Sequence, residues 1–439
     1  MELNILIILV FLLLLFFRYK EGVILISILS PWLYMWKFPI GNTLNLFVVL
    51  ACVAILLLIT KRQLSYVRYF PFKVAVIFPF VSLIVTSIFI RFKLVPLLEL
   101  LSYYIFPFVL FCVIQTPKEL NAYLKCLSVF LVLIVGYTIF EELTYSNPIM
   151  DWCVNHKEQF SWVISTKEIR FGVKRAQSFL MYSSALGGLC NYSFFVIAYL
   201  KSKRYKYTNS PVFNFLLYAL PICSFLTGTR SVIFPFMIIC IGFINLKTIE
   251  RYKFTFLIVA IIAIFPMHSY LSKLGDSILA SDDEKNQMGS SQDMREEQFA
   301  VATYYMDRSP SPWYGNGLDY TDKVKKKDWK LRGAESIWMP RMIEQGYIGV
   351  ISLVLTFVIM LLLLFKYKMY ACLWVMLSFI MGKTISAMLG IEEGYYLLIF
   401  VVIFRYLQFT NRLPSKLIER NMKLRMMLSR ADWSIKRKS

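Results

Sequence analysis

Residues 347–365 read YIGVISLVLTFVIMLLLLF, nineteen positions without a charge. Wound as an α-helix at 1.5 Å per residue, such a run crosses a hydrocarbon layer of about 30 Å. Inside a bilayer the backbone must satisfy its own amides, and a lone segment does so only as a helix. The stretch just before it, 270–345, has the opposite character. It is polar and charged, with Asp282, Asp283 and Glu284 near its start and a basic cluster from Lys323 to Lys330.

Apolar runs of the same kind tile the rest of the chain, at 3–17, 22–37, 42–60, 71–90, 95–115, 121–140, 177–200, 212–228, 231–246, 253–269, 370–390 and 394–408. The pattern predicts an all-α fold, a polytopic transmembrane helical bundle of about 12–13 spans in a single domain over 1–439. Composition agrees. The chain is 58% hydrophobic and 17% aromatic, with a mean hydropathy of +0.59, too apolar for an ordinary soluble domain. The net charge of +21 does not point to nucleic acid, because Lys and Arg crowd into short connectors and the last thirty or so residues.

Those connectors orient the chain. Arg18 and Lys20, Lys61 to Arg68, Lys201 to Lys206, Lys247 to Lys253, Lys366 and Lys368, and the tail over 409–439 all fall on one face if every run spans. That face is expected to be cytoplasmic. Bases in the tail alternate with Leu417, Leu424, Met427 and Leu428, which suits anionic lipid. A medium loop, 141–175, and a large one, 270–345, then face outward. The large loop is too long to be structureless, and a helix is expected from Arg295 to Arg308, ended by Ser309-Pro-Ser-Pro312. The first run lacks a basic start and a small-residue cleavage site, so it reads as a retained span. Seven of the eight cysteines sit in apolar runs and no CxxC pair occurs, which supports neither a disulfide framework nor a zinc site.

Cations on the outer face are the anomaly. Arg170, Lys174 and Arg175 precede the seventh span, Arg230 ends Thr227-Gly-Thr-Arg230 between two runs, and Arg332 and Arg341 stand before the eleventh. Guanidinium groups at headgroup level suit an anionic ligand bound by paired hydrogen bonds; snorkelling or pairing with local acids is the plainer alternative. Within spans, Glu99 and Lys383 lie near the outer ends of their helices, as an ion pair or as functional groups. The Glu392-Glu393 turn reads as a solvated hairpin tip. Outer-loop acids are Asp293, Glu296, Glu297, Asp319, Glu335 and Glu344. Of these, Glu335 and Glu344 flank Arg341 and serve either as proton acceptors beside an anion or as counter-charges. Trp313, Tyr314, Tyr320, Trp329 and Trp338 stud the same loop, mostly as packing or interface rings. His156 and His268 are isolated, and neither a DxD pair nor a Gly-rich loop suggests a metal or nucleotide.

Four segments carry a family resemblance over about 170–365: Arg175 with Gly187; Thr227-Gly-Thr-Arg230-Ser; Arg295 and its helix followed by Ser311-Pro-Trp-Tyr-Gly315-Asn-Gly317-Leu-Asp-Tyr320; and Met342-Ile-Glu344-Gln-Gly346-Tyr-Ile-Gly349. Together they resemble the O-antigen polymerase and O-antigen ligase family of bacterial envelope enzymes. Ligases of that family tend to carry His-Asn where this chain has Ala334-Glu335-Ser336, which favours the polymerase.

The resemblance implies a GT-C-like, metal-independent, inverting membrane glycosyltransferase without cofactor, in the bacterial cytoplasmic (inner) membrane with its active site facing the periplasm or exterior. Its donor would be a glycan on undecaprenyl diphosphate, attacked by a hydroxyl of a second lipid-linked repeat unit, building O-antigen, capsule or exopolysaccharide. Arg175, Arg230 and Arg295 would hold the diphosphate or glycan. Arg170, Arg332 and Arg341 join them by position, and Glu335 or Glu344 would be the base. Implied partners are membrane lipids, a chain-length regulator and a repeat-unit flippase. The rivals are a ligase acting on lipid A core and a lipid or solute transporter. A transporter should show inverted repeats and polar midplane residues, and no repeat is evident.

Reporter fusions test the topology. A reporter active only outside the cytoplasm should report when fused within 141–175 or 270–345 and stay silent within 201–206 or at 366–368. A cytoplasmic 270–345 segment would overturn the reading.

Overall fold

The computed structural model describes residues 2–39, 44–61, 63–160, 164–170, 173–243, 292–331, 336–386 and 391–413. The expected span at 253–269, His268, Arg332, Glu335 and nearly all of the basic tail lie outside the described residues.

Apolar runs wind into helices, and Pro, Gly or charge sets their ends. In chain order these are α1 (Glu2–Phe17), α2 (Tyr19–Leu33), α3 (Leu46–Thr60) and α4 (Lys73–Phe89). Next come α5 (Leu94–Leu100), a π-helical turn (Leu101–Ile105), α6 (Phe106–Val113), α7 (Pro117–Thr144) and α8 (Pro148–Asn155). After a two-residue antiparallel ladder pairing Ile169–Arg170 with Val173–Lys174 come α9 (Ser183–Ser202), α10 (Pro211–Leu226) and α11 (Arg230–Ile241). The polar segment supplies α12 (Gln292–Asp307) and α13 (Tyr320–Lys327). The chain then returns to α14 (Trp338–Lys366), α15 (Tyr370–Ile385) and α16 (Tyr395–Phe409).

Proline begins α7, α8 and α10, where its missing N–H costs nothing. Asn45 and Asn147 cap α3 and α8 by accepting the amides of Val48 and Met150. Four described helices are long and apolar enough to cross a membrane: Leu94–Val113, Pro117–Thr144, Ser183–Ser202 and Trp338–Lys366. Seven shorter apolar helices match further expected runs. Large apolar side chains such as Phe17, Ile88, Leu133 and Leu362 are more than half exposed on the outer helices, a surface that only lipid covers comfortably. This is a helical membrane protein.

Its axis is α16, buried all round from Tyr395 to Gln408. Even Arg405 is enclosed there. Its Nε donates to the Phe111 carbonyl, which the end of α6 leaves without an intrahelical partner, and its Nη1 donates to Gln408 Oε1 at 2.6 Å.

Contacts between connectors sort into two ends. At one, Lys20 pairs with Glu119 at 2.5 Å, Lys61 stands over the Tyr19 ring, and the Tyr367 and Tyr406 hydroxyls donate to the Pro71 and Lys203 carbonyls. At the other, Asn4 donates to the carbonyls of Lys37 and Gln159, Lys93 pairs with Asp319 and Arg341 with Glu393. Each contact joins connectors that strict alternation of spans places on the same face.

The polar segment is seated on the loop end through a break in α14. Gly346 has a left-handed backbone (φ 59°) that interrupts the helix and frees the carbonyls of Ile343 and Glu344. Asn316 N and Gly317 N donate to them at 3.0 Å, while Tyr347 N and Ile348 N return bonds to Pro312 and Trp313 carbonyls at 2.9 Å. Helix α4 completes the seat: Ser82 Oγ donates to Gln345 Oε1 at 2.8 Å, and Phe89 stacks on Tyr314. Above it Ala302, Val324, Leu331, Met339 and Ile343 form a small separate core.

A Cβ at residue 346 would stand 2.1 Å from the Pro312 carbonyl oxygen. Gly346→Ala should therefore cost at least the ~1–2 kcal/mol of a left-handed non-glycine residue. We expect a lowered unfolding temperature in detergent and new protease cleavage between 292 and 331.

Candidate functional site

Two polar clusters gather at the loop end. The first is built on Arg175. Gly187 lets α9 close onto α11, since a Cβ there would meet Val232 Cγ1 at 2.2 Å. That approach brings the Thr227–Arg230 turn, with Gly228 at φ 57°, to the start of α9. Arg175 then donates to Glu168 at 2.7 Å, Ser183 Oγ at 3.0 Å and Thr229 Oγ1 at 3.3 Å, and its Nε is buried without a partner among the described residues. Arg230 opens α11 beside Thr229 and is half-buried. Two segments of the resemblance, far apart in sequence, thus meet.

A buried brace holds Arg175 there. Lys174 Nζ pairs with Glu141 at 2.9 Å, with side chains 3% and 0% exposed. The second Glu141 oxygen accepts the amides of Gln177 and Ser178, and Glu142 accepts that of Lys174. Beside it, Thr166 N donates to Gln177 Oε1, and a cleft of about 360 Å3 opens among Asp151, Asn155, Lys157, Ser165 and Lys167.

The second cluster centres on Arg341, in the first turn of α14. It pairs with Glu393 at 2.5 Å, and Tyr104 donates to the other Glu393 oxygen at 3.0 Å. The Glu392-Glu393 turn is therefore no solvated hairpin tip. Glu392 is 4% exposed and Glu393 is spent on Arg341, because the turn folds inward onto the π-helical segment. Burial pushes the Glu392 carboxyl up to about 8, against the pull of its own backbone amide and of Lys383.

The remaining expected residues scatter. Glu99 and Lys383 form no ion pair. Lys383 Nζ donates to the Ile391 carbonyl at 2.5 Å, while Glu99 faces the side of Asp319, Glu344 and Arg341. Glu344 accepts Thr321 N at 3.2 Å and so pins α13 to α14. Arg295, half-buried at the start of α12, makes no hydrogen bond or ion pair among the described residues. Arg170 pairs with Val173 through its backbone. Arg332 and Glu335 lie outside the described residues. Of the loop aromatics, Tyr314 and Tyr320 pack and Trp338 donates to Thr384, whereas Trp313 and Trp329 are largely exposed. His156 is bonded to the Trp152 carbonyl and lies against its ring.

The sequence reading gave no role to Glu141 or Ser183, quoted Thr229 only within the Thr227–Arg230 turn, and read Glu393 as part of a hairpin tip. No protein-family model matches this chain, and no curated protein matches it.

Removing one partner of a buried ion pair leaves the other charge uncompensated, at about 3–5 kcal/mol. Lys174→Met should destabilise the protein by that order in detergent unfolding. The double variant Glu141→Gln/Lys174→Met should recover part of the loss.

Proposed function

We propose that this chain is a polysaccharide polymerase, joining lipid-diphosphate-linked repeat units at the outer face of the bacterial cytoplasmic membrane. The observation that carries the reading is the meeting of Arg175 with the Thr227–Arg230 turn, beneath the polar loops and remote from the basic connectors. The Arg175 guanidinium with its Glu168 partner, the Ser183 and Thr229 hydroxyls and the start of α11 at Arg230 form a partly enclosed corner there. Such a corner suits a diphosphate whose ester oxygen gains charge as the glycosidic bond breaks.

In this reading Arg175 and Arg230 grip the diphosphate of the donor and stabilise the leaving group. Arg341, held by Glu393, sits at the second cluster, on the acceptor side. The incoming hydroxyl attacks the anomeric carbon with inversion while the undecaprenyl diphosphate departs. Exposed Trp313 and Trp329, and the cleft by Asp151 and Ser165, offer surfaces for sugar rings. The full complement of 12–13 spans, the GT-C-like architecture and the outward-facing loops belong to the same proposal. So do a chain-length regulator and a flippase as partners. Arg295, without a hydrogen bond or ion pair among the described residues, follows the growing glycan in this reading.

Banding of surface glycan tests this. Arg175→Ala and Arg230→Ala should leave single-repeat glycan with the protein still present in the membrane. Arg175→Lys should recover only part of the chain length, because ammonium lacks the paired donors. Long but unattached glycan in a deletion strain would indicate the ligase instead. Normal chain length and yield in Arg175→Ala, Arg230→Ala and Arg341→Ala together would overturn the diphosphate assignment.

A further inference from the structure

Glu392 is buried, yet beyond its own backbone amide neither carboxyl oxygen has a hydrogen-bond partner among the described residues. Structural acids in this chain look different: Glu141, Glu119 and Glu344 all accept bonds from nearby donors. An ionisable group kept unsatisfied inside a membrane protein is costly, and such groups usually serve a substrate or proton path.

The surroundings of Glu392 are built rather than accidental. A Cβ at Gly394 would stand 2.0 Å from the Tyr103 carbonyl oxygen, so the turn is seated directly on the segment Leu101–Ile105. That segment is π-helical, a winding that shifts side-chain register and recurs at functional sites. Here Tyr104 reaches Glu393, while Tyr103 and Tyr34 lie in the joint field of Glu392 and Glu99. Lys383, equally buried, holds the Ile391 carbonyl and supplies the counter-charge. The competing carboxylates are occupied, Glu393 by Arg341 and Glu344 by Thr321.

We propose that Glu392 is the catalytic base, with Lys383 and the Arg341–Glu393 pair as the groups that position it. The assignment rests on the glycosyl-transfer reading above. The acceptor hydroxyl gives its proton to the Glu392 carboxylate as its oxygen bonds to the anomeric carbon of the donor. The bond from that carbon to the diphosphate oxygen breaks, and its electron pair leaves with the lipid diphosphate. The protonated acid then returns its proton to water before the next cycle. A base must be ionised, and burial has raised this carboxyl to about 8. Below that value the competent fraction, and the rate, should climb about tenfold per pH unit. The charged and titratable groups facing it are Lys383 on α15, Glu393 and Tyr395 around the turn, Tyr103 on the π-helical segment, Tyr34 after α2 and, through Glu393, Arg341 on α14.

The test uses the full chain in proteoliposomes with lipid-linked repeat units, read as elongated glycan. Glu392→Gln should lower the rate by about 100-fold or more, with an unfolding temperature equal to or above wild type, because the amide resembles the protonated acid. Wild type should gain rate from pH 6 to 8. A Glu392→Gln protein within threefold of wild type overturns the proposal. So does a flat wild-type profile over that range, even if the variant fails to fold. If Arg175→Ala stops elongation while Glu392→Gln does not, only the base assignment falls. If wild type makes no glycan, the functional reading falls and takes this proposal with it.

Discussion

Where α14 breaks at Gly346, two carbonyls that a continuous helix would have used internally turn outward and are taken by Asn316 and Gly317. A chain entering hydrocarbon cannot leave such groups unpaired. The polar segment is therefore bonded backbone to backbone onto the mouth of the helix rather than draped over it. Side chains alone could slide; this ladder sets a register. It places Arg341 one turn below the break, facing Glu393, and it packs Tyr314 on Phe89 so that α4 carries the load from the other side. The glycines of both segments follow from the same contact. A Cβ at Gly315 would lie 2.5 Å from the Glu344 backbone, and one at Gly346 closer still to Pro312.

A second close approach works the same way. Gly394 lets the turn between α15 and α16 sit on the Tyr103 carbonyl, and the π-helical winding beneath it presents Tyr103 and Tyr104 together. Folded inward, the turn buries Glu392 and leaves Glu393 only partly exposed. The two residues divide the roles: Glu393 is paired with Arg341, and burial raises the Glu392 carboxyl above the usual carboxylate range. The Arg175 corner depends on a third such contact, at Gly187, with the Glu141–Lys174 pair holding the strand of chain that carries it.

Much of the architecture was legible without coordinates. Charge-free runs specified helices, and bases between them sorted into one end. The segments around Gly315 and Gly346 were singled out only as part of a family resemblance, not for their backbone. The helix expected from Arg295 to Arg308 is α12, and its Ala302 lies in the small outer core. The site was read less well. Glu99 and Lys383 do not meet: Lys383 holds the Ile391 carbonyl, while Glu99 lies by Asp319, Glu344 and Arg341. Glu392 and Glu393 looked like a hairpin tip because a short acidic turn between apolar runs ordinarily faces water.

The sequence by itself determined which segments wind into apolar helices and where the charges between them collect. These follow from local transfer energies and from the steric freedom of single residues, and both are written in neighbouring letters. Only the tertiary structure decided which charges are partners. Arg341 and Glu393, Lys174 and Glu141, and Arg175 and Thr229 lie 52, 33 and 54 positions apart, and helix packing alone brings them together. Once packed, the low-dielectric interior makes each pairing, and each carboxylate left without one, a matter of several kcal/mol.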